Sequence, residues 1–441
     1  MESLLGHNVV ASTRQLLQDR VFMAAHRRNE NCFTRQRWFT FPRVCVLIVQ
    51  KTVRSTHARL AEFFARLVEE PDAPTAGPTA SAWTQARAKL KHTAFIELNR
   101  QAILQPVSGP ENPIQRWRER RLLAIDSSLL RLPATAALAE RFGWSTTENQ
   151  HGPTGQYVQA RLGVLYDLLN QIALDALVTP VARGERELAG EQLGQARAQD
   201  VIVMDRGFCS RQLFARCRQQ QRDFVCRCER TGFSIVRELF ARGEAGRSVT
   251  VTLGPPAKKK PLPAAVAALR VRFITVALPT GELEVLATSL VDEEKFPTAE
   301  FARLYQARWG IETYFARLKG RLDLEHFSGQ TLEAVLQDLH ATLYLSNLET
   351  VLIGPAQAEL RQHSQTCAPP QQVNHAVAFH ALKSRLIQLL LSPRPLEEVV
   401  ALLQQSFRQN AQLIRPNRTV PRRLSKWNSY FFRRNVRKSV F

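Results

Sequence analysis

The chain of 441 residues lacks long apolar runs. Its longest examples, such as VCVLIV at residues 44–49, fall far short of the roughly 20 apolar residues that cross a bilayer as a helix. We expect no signal peptide, because the first residues lack its charged and apolar pattern. We therefore expect a cytoplasmic protein with no membrane-spanning segment.

Cysteine motifs are also missing. The seven cysteines form no C-x-x-C, and no cluster of cysteine and histidine has the spacing of a zinc site. We expect reduced thiols in the core or on the surface. They are Cys32, Cys45, Cys209, Cys217, Cys226, Cys228 and Cys367.

Acidic residues are scarce relative to basic ones. The chain has 39 Asp and Glu against 60 Lys and Arg, a net charge of +21 and a pI near 10.4. Residues 401–441 contain ten basic residues and no acid, and residues 1–120 contain eighteen basic residues and ten acids. This excess predicts a polyanionic partner, with nucleic acid ahead of an anionic membrane surface.

Hydrophobic periodicity divides the chain into regions. Residues 1–110 are predicted to be a helical, basic, DNA-binding region with a proline-rich stretch at 71–79, and a second such stretch lies at 105–113. Residues 115–228 alternate strand and helix patterns, which indicates an α/β core. Residues 229–290 are rich in β-branched residues and predict a β insertion. Residues 291–330 return to the core with a long helix, and residues 331–441 are helical and end in a basic tail.

Two carboxylates follow short apolar strands. Asp126 comes after LLAI and Asp205 after VIVM. Strand ends at the rim of an α/β sheet are common ligand-binding positions. The alternative is that each aspartate caps the next element.

The stretch YQARWGIETYFARLK at residues 305–319 carries a third acid. As one helix, it would place Tyr305, Arg308, Glu312 and Lys319 within an arc about 60° wide, beside an apolar stripe. A solvated helix edge with an ion pair between Arg308 and Glu312 is the alternative.

Together these acids predict a metal site. Asp126, Asp205 and Glu312 could converge to bind two divalent cations, and carboxylate oxygens suit the hard Mg²⁺ ion. Cations would relieve the repulsion between the acids and could promote an in-line phosphoryl displacement. A basic protein with such a site is suited to cutting or joining a phosphodiester backbone.

The ordered set of residues resembles the DDE transposases of bacterial insertion sequences. It is most similar to the insertion-sequence-four family, which is marked by Tyr, two residues, Arg, three residues, Glu, six residues and Lys. The chain meets that spacing from Tyr305 to Lys319. The phrases DRGF at 205–208, YVQARLGVLYDLLN at 157–170 and LATSLVDEEKFPTAEFARLY at 286–305 are also typical of the family. The resemblance covers residues 80–330.

The resemblance implies a ribonuclease-H-like catalytic core interrupted by a β-rich insertion. It implies that Asp126, Asp205 and Glu312 bind two Mg²⁺ ions, for which Mn²⁺ can substitute. It also implies that Tyr305, Arg308 and Lys319 bind DNA phosphates. The expected protein is a nucleoid-associated bacterial DNA transposase that cleaves the inverted-repeat ends of its element and joins them to target double-stranded DNA as a homodimer.

The chain departs from the family pattern at two places. Ser127 follows the first aspartate where many relatives have glycine, and no tryptophan lies between Trp144 and Trp309. Phe233 and Phe273 could replace an insert tryptophan that stacks on a flipped base, but core packing is the expectation for both. Trp309 is also expected to pack.

Two other functions remain open. One is a ribonuclease-H-like nuclease without strand transfer, and the other is a non-catalytic DNA-binding protein derived from a transposase.

Overall fold

The computed structural model describes residues 2–414, except residues 36, 52–54, 68–76, 110, 111, 113, 150, 151, 255–267, 279, 280, 367 and 368. The lysine run at 258–260 and the basic tail from residue 415 therefore lie outside the described residues. Within the described part, no helix is long and apolar enough to cross a membrane.

The described residues form the helices and strands of a mixed α/β protein, and seven helices precede the first strand. The helices are α1 (Glu2–Gln18), α2 (Arg20–His26), α3 (Phe41–Gln50), α4 (Thr56–Leu67), α5 (Ala80–Arg87), α6 (Thr93–Leu98), α7 (Gln105–Val107), α8 (Ala136–Phe142), α9 (Glu185–Gln192), α10 (Arg211–Gln219), α11 (Ser234–Arg242), α12 (Glu300–Gln306), α13 (Trp309–Ala316), α14 (Leu332–Thr366), α15 (His375–Leu390) and α16 (Leu396–Gln409). The strands are β1 (Leu122–Leu132), β2 (Trp144–Asn149), β3 (Gly152–Asp167), β4 (Ile172–Pro180), β5 (Val201–Met204), β6 (Asp223–Arg227), β7 (Ser248–Leu253), β8 (Leu269–Ala277), β9 (Leu283–Thr288), β10 (Gln371–Val373) and β11 (Ala411–Leu413).

The chain forms two compact units. One unit is continuous and runs from Ile114 to Arg317. The other is built from Met1–Pro113 together with Leu318–Phe441. The first contains the large sheet, and we call it the sheet unit; the second is the helical unit.

The sheet unit contains one sheet with strand order β2-β3-β1-β5-β6-β9-β8-β7, and β4 also pairs with β3. Strands β1, β5 and β6 run parallel to one another, whereas β1 pairs antiparallel with β3 and β6 pairs antiparallel with β9. Strands β7 to β9 of the predicted insertion therefore extend the central sheet.

Each face of this sheet is covered by a different group of helices. On one face, α9, α10 and α11 contribute to a large apolar core, in which the rings of Phe214 and Phe224 stack with centroids 4.2 Å apart. On the other face, α13 lies against the sheet through the stacked rings of Tyr314 and Tyr166, 4.5 Å apart. Because strand side chains alternate between faces, each strand serves both layers.

One element of the insertion differs from expectation. The segment Ile235–Leu239 was predicted to be β-like, but it lies within helix α11. The helix ends at Gly243, whose φ of 69° is the left-handed conformation that stops helices. Local capping and packing outweigh the β propensity of the two branched residues.

The helical unit is organised around α14, whose residues 337–349 are all buried. A helix buried all round must satisfy its polar side chains internally. Arg87 of α5 satisfies two polar side chains of α14, because it donates hydrogen bonds to Asp338 at 2.8 Å and to Gln337 at 2.7 Å. The hydroxyls of Thr13 and Tyr344 likewise lie 2.9 Å apart.

Candidate active site

Asp126 and Asp205 lie at neighbouring positions of two parallel strands. The pairing of β1 with β5 matches Ala124 with Val203. Two further residues in that register bring Asp126 beside Asp205, which directly follows β5. The nonlocal pairing therefore places together two acids that are far apart in the sequence.

Both aspartates point to the face covered by α13. Their preceding neighbours, Ile125 and Met204, belong to the apolar core on the opposite face. Because successive strand residues alternate, Asp126 and Asp205 share the other face. The mechanistic consequence is that a helix on this face can add a third acid.

Helices α12 and α13 supply the remaining groups. The hydroxyl of Tyr305 donates to Oδ1 of Asp205 at 3.3 Å. Nη2 of Arg308 donates to Oε1 of Glu312 at 2.7 Å. Asp126 was predicted to follow a strand, but it lies inside β1, which continues to Leu132, whereas Asp205 directly follows β5 as predicted. Side chains from β1, from the end of β5 and from the helical segment are thus brought together.

Electrostatic coupling links the three acids directly. Burial is the main reason that the pKa of Asp126 rises to about 6, and the charges of Glu312 and Asp205 raise it further. The backbone N–H of Ser127, 2.8 Å from Oδ1 of Asp126, and the Arg308 guanidinium act in the opposite direction. Asp126 therefore lies in the field of both other acids.

Arg308 is nearly buried, with only 4% of its side chain exposed. Burial lowers its pKa, but Tyr305, Glu312 and Asp205 together raise it above the ordinary value. Its Nε is buried and has no hydrogen-bond partner among the described residues. The guanidinium thus neutralises the acids while retaining one unused donor.

The helix that was predicted from residue 305 to residue 319 is not continuous. Helix α12 ends at Gln306, α13 begins at Trp309, and a π-helical turn follows at Arg317–Arg321. Tyr305, Arg308 and Glu312 nevertheless all reach the site. Lys319 belongs to the helical unit, where its Nζ lies 3.9 Å from Oε1 of Glu325.

Two residues near the site were not predicted. Arg227, at the end of β6, lies with Nη1 4.0 Å from Oδ1 of Asp205 and Nη2 2.9 Å from Oε1 of Glu284. Glu284 on β9 is buried, and its Oε2 has no hydrogen-bond partner within the described part of the chain. Burial raises the pKa of Glu284, and the nearby Asp205 raises it further. The strand-end rule that found the aspartates could have found Arg227, whereas Glu284 required knowledge of strand pairing.

Ser127, the departure from the family pattern, participates in a network on the opposite side of β1. Its hydroxyl donates to Oε1 of Glu185 at 2.6 Å and accepts from Nη1 of Arg161 at 3.0 Å. Arg161 and Glu185 are also paired directly. A glycine could not make these side-chain contacts, which hold β1, β3 and α9 together beside Asp126.

The aromatic residues differ from expectation at one position. Phe273 is fully buried and Phe233 packs against the core cluster, as predicted. Trp309 was expected to pack, but 47% of it is exposed. The Arg308 guanidinium lies 5.0 Å from its ring centroid. An exposed aromatic ring therefore stands three residues before Glu312.

Two other acids of the sheet unit have structural roles. Asp167 accepts hydrogen bonds from the backbone of Leu169 and Asn170 in the turn between β3 and β4. Asp175 is half-buried in β4, and burial raises its pKa.

The donor set suits a hard divalent cation. Asp126, Asp205 and Glu312 offer only carboxylate oxygens, and about a third of the Asp205 and Glu312 side chains is exposed. The described residues contain no group of three or more His, Cys, Asp or Glu side chains already gathered at metal-binding spacing. Arg308 provides positive charge beside these acids.

Comparisons with known proteins identify one family model, one curated relative and one solved structure that are similar to the chain. A family model described as a transposase DDE domain matches residues 117–348. The transposase InsG for insertion sequence element IS4 of Escherichia coli is 25% identical over 241 residues, which cover 54% of this chain and 53% of that protein. The match thus spans about half the length of this curated relative. A cryo-EM structure of a piggyBac transposase synaptic complex with hairpin DNA aligns over 91% of this chain and 85% of that chain, with 11% identity and a TM-score of 0.43.

We expect Asp126→Asn to stabilise the protein at pH 8. The substitution removes a half-buried charge that the other acids repel, so the free energy of unfolding should rise by on the order of 1 kcal/mol, or about 2–4 °C in Tm. Because the folded-state pKa is raised to about 6, the wild-type carboxyl becomes protonated as the pH falls through that value. The difference between the two proteins should therefore shrink at pH 5.

Calorimetry at both pH values measures this effect. Asp200→Asn is a matched control, because Asp200 is buried in a two-point ion pair with Arg121. It should lower the free energy of unfolding by up to about 3–5 kcal/mol. An Asp126→Asn protein less stable than the wild type at pH 8 would contradict the account of repulsion among the acids.

Proposed function

The chain belongs to the transposase DDE domain family, and from this premise we propose that it is a DNA transposase. It binds the terminal inverted repeats of its element and hydrolyses the phosphodiester bonds at the ends with divalent cations. It then joins the 3′-hydroxyl ends to target DNA.

The observation that carries the proposal is the convergence of Asp126, Asp205 and Glu312 on one face of the sheet. Mutual repulsion makes such an arrangement unfavourable for stability alone. A fold that maintains it beside a buried arginine is consistent with a site that binds cations during catalysis.

These three acids would hold two Mg²⁺ ions, or Mn²⁺ in their place. When bound, the cations supply Lewis-acid activation of the attacking hydroxyl and of the leaving oxygen. Neighbouring groups of the protein orient the carboxylates that would bind the cations. The backbone N–H of Ser127 holds one oxygen of Asp126, and the Tyr305 hydroxyl holds one oxygen of Asp205.

The basic groups would position the DNA backbone. Arg308 has an unused Nε donor, and a guanidinium can bind a phosphate through two parallel hydrogen bonds. Tyr305 and Lys319 would contact further phosphates, with the lysine acting as a point charge. The net charge of +21 favours long-range attraction of the polyanion.

The fold supports a ribonuclease-H-like core. In the order β4-β3-β1-β5-β6, three antiparallel strands are followed by two that run parallel to β1. We assign residues 115–228 and 291–330 to this core and residues 229–290 to its insertion. Residues 1–110 and 331–441 would bind DNA. Because two ends must be handled together, the active complex would contain at least a homodimer.

Cleavage of end DNA tests the proposed chemistry. We expect purified protein with Mg²⁺ to nick DNA that carries the inverted repeat. Asp205→Asn and Glu312→Gln should reduce the rate by more than about a hundredfold, since even outer-shell partners of a metal site contribute about ten- to a hundredfold. Both variants should still bind the DNA and remain folded. Asp292→Asn, which changes an exposed acid of the same unit, should cleave like the wild type.

Normal cleavage by Glu312→Gln would show that Glu312 is not one of the catalytic acids. The products also distinguish the alternatives, because a transposase joins a labelled end to a plasmid, whereas a nuclease only cuts. Tight binding without any metal-dependent cleavage would instead identify a non-catalytic DNA-binding protein.

The salt dependence of binding tests the phosphate contacts. Lys319→Ala and Arg308→Ala should each weaken binding to end DNA and reduce the slope of log K against log salt by about 1, because each removes one neutralised phosphate. Arg183→Ala is the control, since its guanidinium is already paired with Glu187 and Glu191. Fluorescence anisotropy over a salt series measures the slopes, and an unchanged slope for Lys319→Ala would remove it from the DNA interface.

A further inference from the structure

Three thiols cluster behind Asp205. Cys209 follows the turn that contains Asp205, Cys226 lies in β6, and Cys228 lies just past the end of that strand. The sulfur atoms of Cys209 and Cys228 are 3.7 Å apart. The thiol of Cys226 lies 3.5 Å from the backbone oxygen of Asp205. The cluster thus contacts the segment that carries a proposed catalytic acid.

The three cysteines differ in access to solvent. Cys226 and Cys228 are buried, whereas Cys209 is partly exposed. The neighbouring thiols of Cys226 and Cys228 lower the pKa of the Cys209 thiol. Cys209 is therefore the thiol of the cluster that a small reagent can reach and the one that ionises most readily.

Metal binding does not account for the cluster. Among the residues that the structure describes, no group of three or more His, Cys, Asp or Glu side chains is arranged to hold a metal ion. The short distance between two sulfur atoms points instead to chemistry between thiols.

We propose that Cys209 and Cys228 form a reversible disulfide by exchange with a small-molecule disulfide such as glutathione disulfide. The Cys209 thiolate attacks one sulfur of the reagent and forms a mixed disulfide, and one glutathione leaves as a thiolate that takes up the proton released by Cys209. Cys228 then loses its proton and attacks the sulfur of Cys209 as a thiolate, and the second glutathione thiolate leaves and takes up that proton. The protein pair is oxidised as the reagent is reduced.

The bond would also affect the active site, a consequence that rests on the proposed function. Closing the gap from 3.7 Å to about 2 Å must move the segment after Asp205 or the end of β6. A misplacement of about 1 Å can reduce catalysis by about a hundredfold. We therefore expect slower DNA cleavage in the oxidised protein.

Peptide mapping tests the disulfide itself. Trypsin places each thiol in a separate peptide, namely GFCSR (residues 207–211), DFVCR (223–227) and CER (228–230). The folded full-length chain is treated with glutathione disulfide, its free thiols are blocked, and the peptides are identified by mass spectrometry. We expect GFCSR linked to CER, with the buried Cys217 recovered as a blocked free thiol.

Two variants serve as matched controls. Cys226→Ser should still form the link between Cys209 and Cys228. Cys228→Ser should stop at the mixed disulfide, so that glutathione remains on Cys209. Free Cys209 and Cys228 in the treated wild type, or a link from Cys209 to Cys226, would overturn the assignment whether or not the protein cleaves DNA.

Cleavage assays test the consequence. Oxidised wild-type protein should cleave at least about tenfold more slowly than the reduced protein, and dithiothreitol should restore the rate. Cys228→Ala cannot close the bond, so any loss of its cleavage rate after the same treatment comes from the mixed disulfide on Cys209 alone. An oxidised, mapped protein that cleaves at the full rate would overturn the effect on the active site, whereas absence of cleavage in the reduced protein counts against the proposed function alone.

Discussion

The interaction on which the site depends is that of Arg308 with three carboxylates. Its guanidinium donates to Glu312, and its charge acts on both Asp126 and Asp205. Without this cation, a half-buried Asp126 beside two other acids would be unfavourable. Arg308 therefore allows the fold to keep an acidic site before any divalent cation binds. It also explains why the acids are near one another without forming a closed ligand cage.

Strand pairing decides which side chains reach this arginine. The parallel register of β1 and β5 aligns the two aspartates, and the pairing of Met204 with Cys226 brings Arg227 to the next position along the row. Glu284 then holds Arg227 from β9. The opposite faces of the same strands carry the apolar core and the thiol cluster. A shift of one residue in the register would move every side chain of the shifted strand to the other face of the sheet, so all of these groups would separate at once.

Local patterns in the sequence predicted part of this arrangement. Asp126 and Asp205 stand out as acids after short apolar runs, although β1 continues through Asp126 to Leu132. The spacing from Tyr305 to Glu312 identified the helical residues that reach the site. The prediction from spacing treated residues 305–319 as one regular helix. It therefore missed the break before Trp309 and the π-helical turn that contains Lys319. Glu284 could not be found in this way, because its neighbours come from pairing between distant strands. The helix at Ile235–Leu239 was missed because the cap at Gly243 outweighs side-chain propensity. The family was predictable because Asp126, Asp205 and the residues from Tyr305 to Lys319 occur in the order and spacing that mark it.

Binding of Mn²⁺ tests most directly whether the three acids form one cation site. The loss of the free-ion signal in electron paramagnetic resonance gives the affinity of the reduced, full-length chain with end DNA present. The account predicts binding by the wild type and by Asp292→Asn, and loss of at least about tenfold in affinity in each of Asp126→Asn, Asp205→Asn and Glu312→Gln. Equal Mn²⁺ affinity in the wild type and in all three variants would contradict it.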